Sequence, residues 1–218
     1  MNRKTTVVLI TFLFAVSTIA LAQKNEINFS IGAITSSDQS STLFPALGAP
    51  CPPFCIMQFN SSTSTGVAFE GGYARQLFSF GPASLDLDIP IVGVPSRNFH
   101  EGSLGVFLPA TKVSLLFFTP SARIKLFHSG PVSPFVSVGG GLAHFGTSST
   151  PGVDRGTNNP ALQFGGGADF KTPLPHLSFR AEVRDFWARG TLTSSSLAQV
   201  SPEHQHNIFA GGGIVFKF

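Results

Sequence analysis

Nine charged side chains fall at every second position within otherwise apolar segments: Glu70, Asp86, Asp88, Arg123, Lys125, Asp169, Arg180, Glu182 and Arg184. Carboxylates and guanidiniums on one face of a strand can serve two kinds of chemistry. Gathered away from water, they must pair and hydrogen-bond, because an isolated buried charge is costly. Lining an aqueous passage, they can instead conduct ions or relay protons. Cys51 and Cys55, in Cys-Pro-Pro-Phe-Cys, form a second constellation. A thioredoxin-type redox pair has two intervening residues, here there are three, and no metal ligands flank them. In an exported chain the expected state is a local disulfide.

The histidines supply candidate bases. His144 precedes Ser148 and Ser149, His176-Leu177-Ser178 is a His-x-Ser pair, and Pro202-Glu203-His204-Gln205-His206 faintly resembles a metal-binding tract. A nucleophilic site needs base and hydroxyl within hydrogen-bond reach, and a zinc site needs three or four converging ligands. These spacings meet neither condition. No catalytic residue, metal ligand or cofactor site is therefore expected, and the 202–206 tract reads as a solvated loop.

The fold that positions these residues is expected to form outside the cytoplasm. Arg3 and Lys4 precede an apolar run from Val7 to Leu21, and Ala20-Leu21-Ala22 presents small residues where a signal peptidase reads them. Residues 1–22 read as a cleaved leader and 23–218 as one domain. Loss of Arg3 and Lys4 lowers the formal charge from +3 to +1. The basic balance therefore says little about partners, and without a basic run nucleic-acid binding is not supported. Charged residues make up 11% of the chain, against roughly 25% in soluble domains. The mean hydropathy is positive, +0.24, yet no segment after the leader is long and apolar enough for a spanning helix. A β-barrel, which hides its hydrophobicity in alternation, reconciles these observations.

Eight segments show that alternation: 26–33, 66–77, 85–94, 114–127, 133–145, 161–171, 177–189 and 206–218. In the first, Ile27, Phe29, Ile31 and Ala33 alternate with Asn28, Ser30 and Gly32. The fifth is less regular, because Phe135 and Val136 are both apolar. Arg75 and Asp185 fall on the apolar face toward strand ends, where a charge is tolerated better than at the bilayer midplane. Short connections (79–84, 128–132, 172–176) alternate with long polar ones (35–65, 95–113, 146–160, 190–203), the asymmetry of periplasmic turns and external loops. His128 and His176 fall in short turns, His100 in a long connection. The predicted fold is an eight-stranded antiparallel up-and-down transmembrane β-barrel. Alternation alone also fits a soluble exported barrel of the lipocalin type, with the apolar face turned inward.

Four stretches resemble the small OmpA-like outer-membrane β-barrel family: Phe118-Thr119-Pro120-Ser121-Ala122-Arg123-Ile124-Lys125, Ser133-Pro134-Phe135-Val136-Ser137-Val138-Gly139-Gly140-Gly141-Leu142-Ala143, Phe179-Arg180-Ala181-Glu182-Val183-Arg184, and Gly211-Gly212-Gly213-Ile214-Val215-Phe216-Lys217-Phe218. The resemblance implies residence in the bacterial outer membrane, contact with its lipids, and insertion by the barrel-assembly machinery. That machinery would read Ile214, Phe216 and Phe218 as an assembly signal. One Tyr and one Trp depart from the family's usual interfacial aromatics; Phe supplies the rest. No peptidoglycan-binding module follows, so cell-wall anchoring is not carried over.

An eight-stranded lumen is only wide enough for side chains. The nine charges are accordingly expected to form an interior ion-pair network that plugs it, the alternative being a narrow gated pore. The expected role is structural or surface-presenting: membrane integrity, adhesion, or an extracellular ligand held by the long loops. A small-solute channel and an outer-membrane lipid hydrolase are the other readings.

Overall fold

Alternation of side chains across a strand has period two, and the computed structural model displays it in every wall of a closed sheet. It describes residues 25–37, 39–43, 57–103, 106–107, 111–128, 130–150, 153–189 and 204–218. The expected leader and cleavage point, Cys51 and Cys55 with their expected disulfide, and the connection 190–203 lie outside the described residues.

The strands are β1 (Asn25–Ser36), β2 (Gln39–Leu43), β3 (Met57–Thr63), β4 (Gly66–Phe80), β5 (Ala83–Ser103), β6 (Val106–Phe107), β7 (Thr111–Phe118), β8 (Ser121–Leu126), β9 (Val132–Thr150), β10 (Val153–Lys171), β11 (Leu177–Arg189) and β12 (His204–Lys217). All pairings are antiparallel. The ring runs β1, β4, β5, then β7 with β8, then β9 to β12 and back to β1. β7 and β8 are two lengths of one stave. Both pair with β5 and β9 in a single register, Phe118 lying opposite Ile91 and Leu142, and Ser121 opposite Asp88 and Gly139. The break is Thr119-Pro120, because proline has no N–H to give the ladder. The Pro120 carbonyl still accepts from the Gly140 N–H at 3.2 Å, which holds the register across the gap. Nine strands thus make eight staves.

The ring closes by pairing its first and last strands, Ile27 opposite Phe216 and Ala33 opposite Ala210. At that seam Asn25 and Phe218 exchange backbone hydrogen bonds of 2.9 Å each. Both described ends lie at the short-turn end. Those turns are tight enough to need left-handed backbone, at Gly81 (φ 58°), Phe127 (φ 50°) and His176 (φ 66°).

Apolar side chains face outward and polar ones inward. On β1, Phe29 is 53% exposed while neighbouring Ser30 is 0% exposed. On β8, Ser121, Arg123 and Lys125 point in while Ala122, Ile124 and Leu126 point out. This is the membrane-barrel arrangement, and the lipocalin-type alternative is overturned by it.

The long connections are more ordered than expected. β5 runs on to Ser103, β9 to Thr150, and β10 starts at Val153, so 95–113 and 146–160 are largely strand. Within 35–65, β2 and β3 form a hairpin whose second strand pairs with the far end of β5, Thr63 opposite Phe99. Antiparallel neighbours that leave the apolar zone still have backbone groups to satisfy, and continued pairing satisfies them.

Candidate functional site

The interior is built outward from β11, whose Arg180, Glu182 and Arg184 all point into the lumen. Such bulk fits because four of the six facing positions on the two neighbours are glycines. Gly165 and Gly167 of β10 lie opposite Arg184 and Glu182, while Gly211 and Gly213 of β12 lie opposite Glu182 and Arg180. A Cβ on Gly167 would collide with the Ala181 carbonyl, and one on Gly213 with the Phe29 carbonyl and Ser30. Small facing large is how a narrow barrel fills its taper.

Nearest the short turns, Arg180 Nε donates to Asp169 Oδ1 at 2.7 Å. Lys125 Nζ lies 2.8 Å from Asp169 Oδ2 and 2.6 Å from Glu26 Oε1. Arg123 Nη2 donates to Glu26 Oε2 at 2.6 Å and to Asp86 Oδ2 at 3.0 Å. One step along the axis, Arg184 is shared by three carboxylates: Glu182 at 2.9 Å, Asp88 at 3.0 Å and Glu70 at 3.2 Å. Asn28 donates to Glu70 and Ser30 to Glu182, at 2.9 and 3.0 Å. Arg123 Nη1, 3.8 Å from Asp88, joins the two groups. The geometry therefore brings all nine sequence-selected charges into one desolvated cluster.

Two members were missed. Glu26 bridges Arg123, Lys125 and Arg180; carrying the Asn28, Ser30 parity back one step would have found it. Phe135, ambiguous beside Val136, turns inward and places its ring 4.8 Å from the Arg180 guanidinium carbon and 5.4 Å from that of Arg123, within cation–π range.

Above the charges the lumen becomes apolar, which the sequence reading did not anticipate. Phe117 stacks on Phe186 (4.4 Å between centroids, 16° between planes) and meets Phe145 edge-on at 6.3 Å. Ile34, Val92, Val94, Leu115 and Phe209 complete a buried cluster. Toward the loops, Arg97 caps it by donating to Ser36 Oγ and to Asn207 Oδ1.

Among the described residues the histidines make no nucleophilic pair. The rings of His128 and His176 bond the carbonyls of Pro82 and Lys217, and that of His144 bonds Asn158. Ser178 is buried in the lumen wall. Among the described residues no serine hydroxyl bonds a histidine ring, and no group of three metal-ligating side chains occurs. The solvated-loop reading of 202–206 is corrected at its second half, because β12 begins at His204. His206 Nδ1 lies 2.7 Å from Asp185 Oδ2, and His204 stacks on Trp187 at 4.4 Å. Alternation places all four on the outer surface. Ile214, Phe216 and Phe218 are also exposed there.

Neither a family model nor a curated protein sequence matches the chain. Solved structures do. The chain is similar to outer membrane protein OprG from Pseudomonas aeruginosa (13% identity, 90% of this chain and 96% of that one, TM-score 0.57). It is similar to Neisserial surface protein A (13% identity, 89% and 97%, TM-score 0.50). It also matches Ail, the attachment invasion locus protein of Yersinia pestis (17% identity, 88% and 99%, TM-score 0.43). The likeness to OprG and to Neisserial surface protein A shows the fold, that of the small outer-membrane barrels, and function must be argued from the site.

Proposed function

We propose that the chain is an integral barrel of the bacterial outer membrane with a closed lumen, serving a structural and surface-presenting role through its long-loop end. The observation that carries this reading is the double filling of the lumen, charges below and aromatics above. A hydrated path would have to cross both layers. The apolar outer surface supports contact with outer-membrane lipids. The exposed Ile214, Phe216 and Phe218 on the closing strand support delivery by the barrel-assembly machinery after removal of the leader. On this reading the long-loop end meets an extracellular ligand, with no reaction, cofactor or nucleic acid involved.

Two measurements test it. The exported protein should fractionate with the outer membrane and run as a heat-modifiable band in detergent gels; recovery wholly in the soluble periplasm would sink the membrane reading. In planar bilayers it should give no unitary currents, and steady ohmic channels would overturn the closed lumen.

A further inference from the structure

Arg184 meets more acceptors than it has hydrogens to give. Its Nε carries one hydrogen and its Nη2 two. Glu182 Oε2 lies 3.0 Å and Glu70 Oε2 3.2 Å from Nε. Around Nη2 stand Glu182 Oε2 at 2.9 Å, Asp88 Oδ2 at 3.0 Å and Glu70 Oε1 at 3.2 Å. The neighbouring donors serve other oxygens: Asn28 bonds Glu70 Oε1, Ser30 bonds Glu182 Oε1, and Ser121 bonds Asp88 Oδ2. Among the described residues Glu70 Oε2 therefore receives no hydrogen bond, although Glu70 is 0% exposed.

Charge imbalance acts in the same direction. One guanidinium faces three carboxylates here. The remaining cations of the lumen are engaged nearer the short turns: Arg180 with Asp169, Lys125 with Asp169 and Glu26, and Arg123 with Glu26 and Asp86. Arg123 comes only to 3.8 Å of Asp88. The inward positions beside Glu182 on β10 and β12 are Gly167 and Gly211, and Gln163 and Ser137 bond each other. Carboxylates gathered in a dry site do not all ionise, because water is not there to screen their repulsion. A proton on Glu70 Oε2 supplies the missing hydrogen, and Glu182 Oε2, held by the same Nε, is the acceptor beside it.

We propose that Glu70 and Glu182 share one proton, so that an acid–carboxylate pair on Arg184, and not three free anions, fills this level of the lumen. The assignment rests on the closed-lumen reading above and deepens it: the proton is a structural part of the plug. Base that removes it places a third full charge against one guanidinium. The folded chain holds a proton that the unfolded chain releases above about pH 4.3. Stability therefore falls as pH rises, by up to about tenfold in the unfolding constant per pH unit.

Infrared absorption reads the proton directly, because the C=O stretch of a carboxylic acid lies apart from the carboxylate bands. The full chain is folded into vesicles of ether-linked phosphatidylcholine, which has no ester carbonyl, at about pH 6, where exposed Asp and Glu are ionised. Heat-modifiable migration verifies folding. One acid band should appear; carbon-13 labelling of glutamate in the unaltered chain should shift it, and labelling of aspartate should not. The band should be lost in Glu70→Gln and in Glu182→Gln, and kept in Asp185→Asn on the outer surface. Urea unfolding between about pH 5 and 7 should become easier with rising pH, with a slope that is shallower in Glu70→Gln by one proton. Absence of the band from folded protein, a band that follows the aspartate label, or equal slopes in the two proteins would overturn the shared proton. A folded barrel without the band refutes the proton and not the closed lumen, which the bilayer currents test separately.

Discussion

Arg184 offers the sharpest test of how the lumen is held. Its guanidinium meets three carboxylates within 3.2 Å in a region where its side chain is 1% exposed. At an effective dielectric of about 20, each pair is worth on the order of 5 kcal/mol gross. Most of that offsets desolvation, and the expected loss on Arg184→Met is about 3–5 kcal/mol, the cost of leaving buried charges without their partner. Glu70, Asp88 and Glu182 would then face one another with Asn28, Ser30, Ser121 and the more distant Arg123 to relieve them. Adding Glu70→Gln and Glu182→Gln removes two of the three carboxyl groups and should recover about half the loss, since a neutral buried network can match a charged one. Urea unfolding in phosphatidylcholine vesicles, followed by Trp187 emission and by the heat-modifiable gel shift, reads both numbers. A loss below about 1 kcal/mol, typical of exposed pairs, or no recovery in the triple variant, would refute a desolvated charge layer. The same variants should still give no bilayer currents, because the Phe117–Phe186 layer lies across the path.

The apolar layer itself should be as important to stability. Phe186→Ala, removing a fully buried ring stacked on Phe117, should cost about 3–5 kcal/mol in the same unfolding assay. Gly213→Ala places a methyl against the Phe29 carbonyl and Ser30 at the closing seam; it should sharply lower the yield of heat-modifiable barrel, whereas Gly71→Ala, with open space at that position, should fold normally. On the lipid face, Val183→Arg should destabilise by about 2–4 kcal/mol if this position lies near the midplane, measured by urea titration in vesicles. An effect near zero would place Val183 at the headgroup level and shift the barrel's depth.

Much of the architecture is a local property of the chain. Phe29 and Ser30, or Arg123 and Ile124, point to opposite faces because a strand has period two, and that parity needs no knowledge of any partner. It sufficed to find eight staves and to sort the nine charges onto one face. It is weakest where both faces are apolar. Leu115-Leu116-Phe117-Phe118 carries no contrast of its own, and only the parity carried back from Arg123 and Lys125 puts Leu116 and Phe118 on the lipid face, where the structure has them. The same degeneracy hid Phe135. Proline at 120, read as ordinary strand, splits its stave without breaking register.

The tertiary structure alone decided which charge meets which. Arg184 and Glu70 are 114 residues apart, and Glu26 and Arg180 154; they meet only once the ring has closed and its register is fixed. Closure also set which face is outside, the choice alternation had left open. It extended the last strand back to His204, placing His204 with His206 in the outer wall beside Asp185 and Trp187 on the neighbouring strand. Side-chain parity follows from backbone geometry within a single strand, so the sequence by itself determines it. Pairing across strands depends on long-range register, which exists only in the folded barrel.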